Sequence, residues 1–322
     1  MARRTWTREQ LVTGVREGDR RALARAISLV ENGDPEAAAV VFDLYPSTGD
    51  AFAVGITGPP GAGKSSLIGA LVRHVRELGL SVGVISVDPS SPFTQGALLG
   101  DRIRLVDHFL DPGVFIRSMG TRGHLGGLAK ATLQSLLLLD ASGREVVFLE
   151  TVGTGQSEVE VIGIADEVVL VLMPGSGDSV QALKAGIMEI PDVIAVNKMD
   201  QPGAQTMVND IRAVISLDPD AAHPPTIVLT EALREKGIAA LWQELVERRD
   251  ALAVSGELER RRRHGLAAGV VAAVTARAEE RIAAAVTENP ALADLVAAVQ
   301  RHEVDPLAAV ETILAAVMGG GT

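Results

Sequence analysis

Cysteine is absent from the sequence of 322 residues, and aromatic residues are scarce at 3%. Without cysteine the protein has no disulfide scaffold, no thiolate zinc site, no iron–sulfur cluster and no cysteine nucleophile. A non-specific nucleic-acid-binding protein needs basic surface and stacking rings, and the net charge of −11 argues against that class. The six histidines are scattered and show no spacing typical of a metal cluster.

Long hydrophobic runs are also missing from the sequence. The longest uncharged stretches, such as residues 51–63 and 265–276, are too short to cross a bilayer. No apolar segment follows Arg3, Arg4 and Arg8, as one would in a secretory signal. We therefore expect a cytoplasmic protein with neither a membrane nor a nucleic acid as its partner.

The pattern of apolar residues divides the sequence into three zones. Residues 1–48 predict an N-terminal helical segment, because Leu23, Ile27 and Val30 recur at helical spacing before a second short helix from Pro35. Residues 49–250 alternate strand-like and helical segments. Residues 251–322 lose every strand signal and predict three helices, and the arginine run at 260–263 is interpreted as a solvated or interface face.

Seven apolar, β-rich runs predict the strands of the central zone: residues 52–57, 81–87, 114–117, 146–149, 168–172, 193–196 and 226–229. Helical segments lie between most of them. This alternation predicts parallel strands joined by helical crossovers, and hence an α/β fold with a doubly wound, mostly parallel sheet flanked by helices.

The segment Gly58-Pro59-Pro60-Gly61-Ala62-Gly63-Lys64-Ser65 matches the phosphate-binding pattern G-x-x-x-x-G-K-S/T. It follows a predicted strand and precedes an amphipathic helix, which is the context that a P-loop requires. We expect the backbone N–H groups to surround phosphate oxygens, Lys64 to neutralise the β- and γ-phosphates, and the Ser65 hydroxyl to bind Mg²⁺. The sequence therefore predicts a P-loop NTPase, with Ser66 included in the nucleotide-binding segment.

The tetrapeptide Asn197-Lys198-Met199-Asp200 follows the predicted strand at 193–196. Ligands bind at the carboxyl ends of strands in open α/β sheets, so its place beyond a P-loop strengthens a short motif. A carboxylate such as Asp200 accepts hydrogen bonds from guanine N1–H and the exocyclic amine, a pair that adenine lacks, while Lys198 would lie along the base. The motif predicts GTP rather than ATP.

An acidic residue, Glu150, ends the predicted strand at 146–149, where P-loop enzymes place an acid next to the metal. Most GTPases have Asp at this point, and the alternative is a surface acid that closes a strand. We expect the backbone N–H of Gly153 to contact the γ-phosphate. Thr154 stands where Ras-like enzymes have Gln, which predicts slow intrinsic hydrolysis.

Further polar residues are candidates for switch segments. Asp88 follows the second predicted strand and could approach Mg²⁺, and Asp101 and Arg104 could belong to a mobile first switch; the alternatives are a Pro-capped turn and a solvated ion pair. Gln181 and Lys184 lie on one helix face, because they are three residues apart, and could reach a nucleotide or a partner. A solvated helix face is the alternative for that pair.

Taken together, these motifs resemble the MeaB/ArgK family, which are GTPase chaperones of methylmalonyl-CoA mutase within a wider group of P-loop GTPases that assist metalloenzyme assembly. The resemblance covers nearly the whole chain. It rests on the P-loop, on 197–200 and on five further segments: Asp88-Pro89-Ser90-Ser91, Gly100-Asp101-Arg102-Ile103-Arg104, Ser118-Met119-Gly120-Thr121-Arg122-Gly123, Glu150-Thr151-Val152-Gly153-Thr154-Gly155-Gln156, and residues 174–184. The stretches 118–127 and 153–156 are more specific to this family than the P-loop is.

This resemblance implies Mg²⁺-dependent hydrolysis of GTP to GDP and phosphate, with Asp88, Asp101 and Glu150 serving the metal shell and the switches. It assigns Gln181 and Lys184 to an additional switch that signals to an adenosylcobalamin-dependent mutase, whose cofactor loading and protection the family governs. It also implies a homodimer built through a C-terminal helical arm, which suits residues 251–322. The family's Ser-Ala-Leu or Ser-Gly stretch behind the guanine ring appears here as Thr230-Glu231-Ala232.

Other functions remain open at this level. A nickel-delivery GTPase of the same wider group would need a cluster rich in histidine or cysteine. A partitioning or transport ATPase, or a GTPase linked to amino-acid transport, would use the same P-loop, and a purely structural nucleotide would leave regulation unaffected by loss of Lys64. Nucleotide competition and Lys64→Ala distinguish these alternatives from a regulatory GTPase.

Overall fold

The computed structural model describes residues 6–88, 108–120, 125–151, 163–175, 191–217 and 224–318. By compactness the chain divides into two units, residues 1–269 and 270–322. The predicted division at residues 48/49 and 250/251 follows sequence pattern rather than compactness, and it stays a prediction.

Three helices precede the sheet: α1 (Arg8–Arg16), α2 (Arg20–Glu31) and α3 (Pro35–Leu44). The apolar spacing predicted α2 and α3 but not α1. Helix α1 begins with a capping box, in which the Thr7 hydroxyl accepts from the Gln10 N–H at 3.2 Å and the Gln10 side chain accepts from the Thr7 N–H at 3.2 Å. This capping signal is present in the sequence, and it marks the helix that the apolar spacing missed.

Seven parallel strands form one sheet in the order β3-β2-β4-β1-β5-β6-β7. Their bounds are β1 (Phe52–Thr57), β2 (Val82–Asp88), β3 (Val114–Gly120), β4 (Val146–Thr151), β5 (Glu167–Leu172), β6 (Val193–Val196) and β7 (Thr226–Leu229). All seven predicted strands are confirmed, and β2, β3 and β4 extend further at their carboxyl ends than predicted. The order reverses on either side of β1, which creates the crevice where ligands bind in such sheets.

Helices cover both faces of the sheet, so the predicted doubly wound P-loop fold is confirmed. On one face, Phe52, Val54 and Ile56 of β1 pack in a core with α4 (Lys64–Glu77) and α7 (Ile238–Ser255). On the other face, Ala53 joins a core formed with α1, α2, α3 and α5 (Leu125–Ala141). Alternate residues of β1 therefore serve opposite layers, as the period of a strand requires. Helix α6 (Ala204–Ile215) packs against β6.

The predicted three C-terminal helices are confirmed as α8 (Glu257–Glu288), α9 (Pro290–Gln300) and α10 (Pro306–Met318). Among the described residues of 270–318, Leu292 and Ala309 are the buried ones, whereas several apolar side chains are exposed. No single helix within the described ranges has the length and apolar character needed to cross a membrane. The pair α8 and α9, bent by 91°, meets that criterion only when counted together, by length and composition.

Candidate nucleotide-binding site

The loop between β1 and α4 requires glycine at two positions for two reasons. Gly58 and Gly63 adopt φ values of 137° and 94°, which side chains other than glycine rarely adopt. A Cβ atom on Gly58 would lie 2.1 Å from the main-chain oxygen of Val171, and one on Gly63 would lie 2.4 Å from Nδ2 of Asn197. The loop is therefore packed closely against β5 and against the residue that follows β6.

Lys64 is buried inside this loop, with 7% of its surface exposed. Its Nζ atom donates hydrogen bonds to the main-chain oxygens of Gly58 at 2.6 Å and of Pro59 at 3.2 Å. The loop thus curls around the ammonium group and places it beside the N-terminus of α4. The ammonium group and the N-terminus of α4 both provide positive potential for an anion, as expected for a phosphate-binding loop.

Ser65 and Glu150, which the sequence assigned to one metal site, are in direct contact. The Ser65 hydroxyl donates to Oε1 of Glu150 at 2.6 Å, and the Ser86 hydroxyl donates to Oε2 at 3.0 Å. Hydroxyl and carboxylate oxygens are the ligands that Mg²⁺ prefers, so this group of residues fits the ion. The sequence analysis missed Ser86, because its closeness to Glu150 depends on which strands are neighbours.

Asn197 connects the P-loop to the segment that follows β7. Its Nδ2 atom donates to the main-chain oxygen of Ala62 at 2.9 Å. Its Oδ1 atom accepts from the N–H of Ala232 at 3.2 Å and from the hydroxyl of Thr230 at 3.3 Å. The two motifs that predicted a nucleotide site are therefore joined by hydrogen bonds through a side chain that is 2% exposed.

Lys198 extends back across the P-loop. Its Nζ atom donates to the main-chain oxygen of Gly61 at 2.9 Å and to the sulfur of Met173 at 3.1 Å, while its backbone has a φ of 57°. Lys198 also lines a cavity of about 270 Å³ whose wall includes the exposed Asp200. The other lining residues that the sequence had assigned to nucleotide binding are Gly63, Ser66, Asn197, Glu231 and Ala232.

Glu231 places an acidic side chain at the wall of the cavity. Its carboxylate forms salt bridges with Arg234 at 2.8 Å and Lys236 at 3.1 Å. The backbones of Glu231 and Lys236 also pair, with N···O distances of 2.9 and 3.3 Å. The acidic side chain at the cavity is therefore neutralised by two basic residues and helps to close the turn behind the cavity.

Several sequence-predicted site residues lie outside the described residues: Asp101, Arg104, Gly153, Gln181 and Lys184. Asp88 ends β2 and pairs with Gly120 of β3 in the backbone register, and its side chain is not among those described. The roles assigned to these residues stay predictions.

A second buried polar cluster lies at the amino ends of the strands. Both carboxylate oxygens of Glu167 are buried and have no hydrogen-bond partner within the described residues. Burial first, and the neighbouring Asp192 second, raise the pKa of Glu167 from 4.5 to about 8. Arg261 donates to Asp192 at 2.9 Å, and Arg262 donates to both oxygens of Asp166 at 2.6 and 2.8 Å.

These contacts divide the arginine run at 260–263 between its two interpretations, a solvated face and an interface face. Arg260 and Arg263 are exposed, as expected for a solvated face, with side-chain exposures of 76% and 74%. Arg261 and Arg262 are half-buried, because the first turns of α8 lie over the amino ends of β5 and β6, where Asp166 and Asp192 need partners.

Comparison with known proteins identifies the family. Residues 23–290 match the family model described as methylmalonyl Co-A mutase-associated GTPase MeaB. A putative GTPase of Pyrococcus abyssi is 45% identical over 317 residues, which cover 97% of this chain and 98% of that protein. The chain belongs to the MeaB family of GTPases. As a MeaB-family P-loop GTPase it is a hydrolase, and membership of the family implies that it binds GTP and GDP.

Two further proteins are similar to this MeaB-family protein. The mitochondrial methylmalonic aciduria type A homolog of Caenorhabditis briggsae is 35% identical over 276 residues, covering 80% of this chain and 67% of that protein. The crystal structure of a LAO/AO transport system kinase superimposes with a TM-score of 0.68 at 26% identity, covering 97% of this chain and 98% of that one. The fold therefore agrees along nearly the entire chain.

Proposed function

We propose that this GTPase binds GTP and GDP with Mg²⁺ in the P-loop and the adjoining cavity, and that it regulates an adenosylcobalamin-dependent acyl-CoA mutase. The observation that carries the nucleotide part is the position of Asn197, which hydrogen-bonds to the P-loop while Lys198 and Asp200 line the cavity. A base placed in that cavity is adjacent to phosphates placed at Gly58–Ser65. Guanine specificity is assigned to Asp200, with Thr230, Glu231 and Ala232 behind the ring.

Phosphate binding and catalysis are assigned to the loop itself. Water attacks the γ-phosphorus in line, and GDP leaves as the bond between the β–γ bridging oxygen and the γ-phosphorus breaks. Lys64 compensates the negative charge that accumulates on the phosphate oxygens, and the N–H groups of the loop contribute hydrogen bonds aimed at the same oxygens. Gly153 is assigned a backbone contact to the γ-phosphate.

The metal site is assigned to Ser65 and Glu150, together with Asp88 and Asp101. Mg²⁺ bound there would neutralise part of the charge on the β- and γ-phosphates. Ser65 donates its hydrogen to Glu150, so the lone pairs of its oxygen remain available to a cation. Glu150 thereby orients the hydroxyl as well as adding negative charge. Arg104, Gln181 and Lys184 are assigned to switch segments that read the nucleotide state.

The proposed partner is methylmalonyl-CoA mutase or a related acyl-CoA mutase that uses adenosylcobalamin. Support comes from the description of the matched family and from the name of the C. briggsae relative. In this proposal, switch segments that contact the γ-phosphate relax after hydrolysis and change the affinity for the mutase, which gates cofactor loading and protects or reactivates the enzyme.

A capture experiment tests the partner. Immobilised full-length protein is loaded with GDP or with a non-hydrolysable GTP analogue and offered purified candidate mutases, with and without Lys184→Ala. We expect nucleotide-dependent capture that Lys184→Ala weakens. Capture that ignores the nucleotide would contradict the switch, and regulation that survives Lys64→Ala would favour a structural nucleotide.

We also propose a homodimer formed through the C-terminal helices. Support comes from exposed apolar side chains on α8 and α10, including Val270, Val274 and Leu307, within a part of the chain that buries few residues. Analytical ultracentrifugation of Val274→Asp should show a monomer. Leu217→Asp, at an exposed leucine just after α6, should sediment like wild type. Equal sedimentation of the two variants would contradict the proposed interface.

Two alternative functions, a kinase and a nickel-delivery protein, differ from a regulatory GTPase in the acceptor of the γ-phosphate or in the metal that is bound. The superimposed structure is named a transport system kinase, which suggests phosphate transfer to an acceptor that belongs to a transport system. Release of all γ-phosphate as inorganic phosphate would exclude it. Nickel delivery requires stoichiometric binding of Ni²⁺, which equilibrium dialysis measures directly.

A further inference from the structure

Strand β2 places the hydroxyl of Ser86 directly beside the carboxylate of Glu150. The two residues are register partners in the parallel pair of β2 and β4, so their side chains point to the same face of the sheet. Ser86 donates to Oε2 at 3.0 Å, while Ser65 of the P-loop donates to Oε1 at 2.6 Å. Each carboxylate oxygen is thus held by a different hydroxyl.

All three side chains are buried, with exposed fractions of 4% for Ser86 and 5% for both Ser65 and Glu150. A buried carboxylate that loses a donor is not compensated by bulk water. Its orientation is consequently set by the protein groups around it. Ser86 lies within a strand that is paired on both sides, to β3 and to β4, which fixes the position of its Cβ atom.

Glu150 needs a second hydrogen-bond donor because it is a glutamate and not an aspartate. Glutamate has one more rotatable bond than aspartate, so holding its carboxylate in one orientation costs more side-chain entropy. A hydroxyl on the neighbouring strand restricts that extra torsion. The Ser65 hydroxyl binds Oε1, so the hydrogen bond from Ser86 adds a separate restraint on Oε2.

We propose that Ser86 is a positioning residue for nucleotide-bound Mg²⁺: it fixes the Glu150 carboxylate, which in turn directs the lone pairs of Ser65 towards the ion. This inference rests on the proposed role of Ser65 and Glu150 in binding the metal. Ser86 acts through Glu150 and contributes no ligand of its own.

The test measures Mg²⁺ dependence rather than turnover. Release of a fluorescent GDP analogue from full-length protein is followed while Mg²⁺ is varied, and its affinity is also measured in EDTA. Ser86→Ala should raise the Mg²⁺ concentration for half-maximal retention by about threefold to tenfold, the effect of losing one hydrogen bond. Affinity in EDTA should be unchanged, and Ser86→Thr, which keeps the hydroxyl, should restore the wild-type Mg²⁺ response.

A matched control is Ser142→Ala, which removes another buried hydroxyl, one that donates to the main-chain oxygen of Leu139 at 2.6 Å. It should leave the Mg²⁺ response unchanged. In a Glu150→Gln background, Ser86→Ala should have no further effect. A wild-type Mg²⁺ response in Ser86→Ala, or an equal loss of affinity in EDTA, would overturn the inference about Ser86. A wild-type response in Glu150→Gln would instead overturn the proposed metal site.

Discussion

The side-chain amide of Asn197 donates to the main-chain oxygen of Ala62 at 2.9 Å, and its carbonyl oxygen accepts from the N–H of Ala232 at 3.2 Å. A single buried side chain thereby joins the P-loop after β1 to the turn after β7. The geometry of the base cavity consequently depends on the geometry of the phosphate loop, although the three residues are far apart in sequence.

Replacing Asn197 should damage binding and stability together. Asn197→Ala leaves the Ala232 N–H and the Ala62 oxygen without their partner, and each unsatisfied buried group costs about 1–3 kcal/mol. We expect weaker GDP binding by calorimetry and a lower free energy of unfolding by urea titration. Asn209→Ala, at an exposed position on α6, is the control and should change neither quantity. An unchanged GDP affinity in Asn197→Ala would contradict the connection.

Base choice should follow the carboxylate of Asp200. Asp200→Asn replaces an acceptor of guanine N1–H by a side chain that can donate to the added oxygen of xanthine. The preference, measured by competition against a fluorescent nucleotide, should shift from guanosine towards xanthosine nucleotides. Asp210→Asn, an exposed carboxylate on α6, should retain the wild-type preference. If Asp200→Asn retains it as well, the base is recognised elsewhere.

Comparing substitutions at Gly63 and Gly79 separates the effect of backbone strain from the effect of a steric clash. Gly63→Ala meets both a φ of 94° and a Cβ contact of 2.4 Å with the Asn197 amide, whereas Gly79→Ala meets a similar φ of 87° with no atom within 4 Å. Both should lose about 1–2 kcal/mol of stability to backbone strain. Only Gly63→Ala should also lose nucleotide binding, measured by calorimetry. Similar GDP affinities for the two variants would show that the close approach is unimportant.

Stability should depend on pH through Glu167. Because its folded-state pKa is about 8 and its ordinary value is 4.5, the folded state holds this proton more tightly than the unfolded state. The contribution is complete below pH 4.5 and is lost as the pH rises to about 8 and beyond. The carboxylate formed there faces Asp166 and Asp192, with Arg248 and Arg261 opposing them.

Glu167→Gln removes the titration, so its free energy of unfolding should fall less than that of wild type between pH 6 and pH 9. Urea unfolding at each pH measures the difference. The control is Glu247→Gln, at an exposed position on α7, which should keep the wild-type slope. Parallel curves for wild type and Glu167→Gln would mean that Glu167 is already ionised at neutral pH.

Local patterns in the sequence were sufficient for much of the fold. Each of the seven strands coincides with an apolar run, because buried parallel strands are apolar on both faces. Their order in the sheet was not predictable, since no local pattern records which strands become neighbours. Helix α1 was missed because its start is marked by the capping residues Thr7 and Gln10 rather than by apolar spacing.

The candidate site also has a part that the sequence predicted and a part that it did not. The P-loop and the motif at 197–200 are each contiguous in the sequence, so the chemistry of each residue could be predicted from the sequence alone. Ser86 and the salt bridges of Glu231 depend on contacts across strands or turns, and only the folded chain brings those groups together. For the same reason the sequence could not show which arginines of 260–263 are solvated, because the acid that binds Arg262 is known only from the folded chain.

Strand β5 lies between the phosphate loop at its carboxyl end and the first turns of α8 at its amino end. At its carboxyl end, the oxygen of Val171 is so close to Gly58 that no side chain fits between them. At its amino end, Asp166 precedes the strand and binds Arg262 of α8. Asp166 and Val171 are five residues apart in the sequence, so at about 3.3 Å per residue roughly 17 Å separates these contacts. A displacement of β5 along its own axis would therefore move the phosphate loop and the first turns of α8 in the same direction, without the participation of any intervening loop.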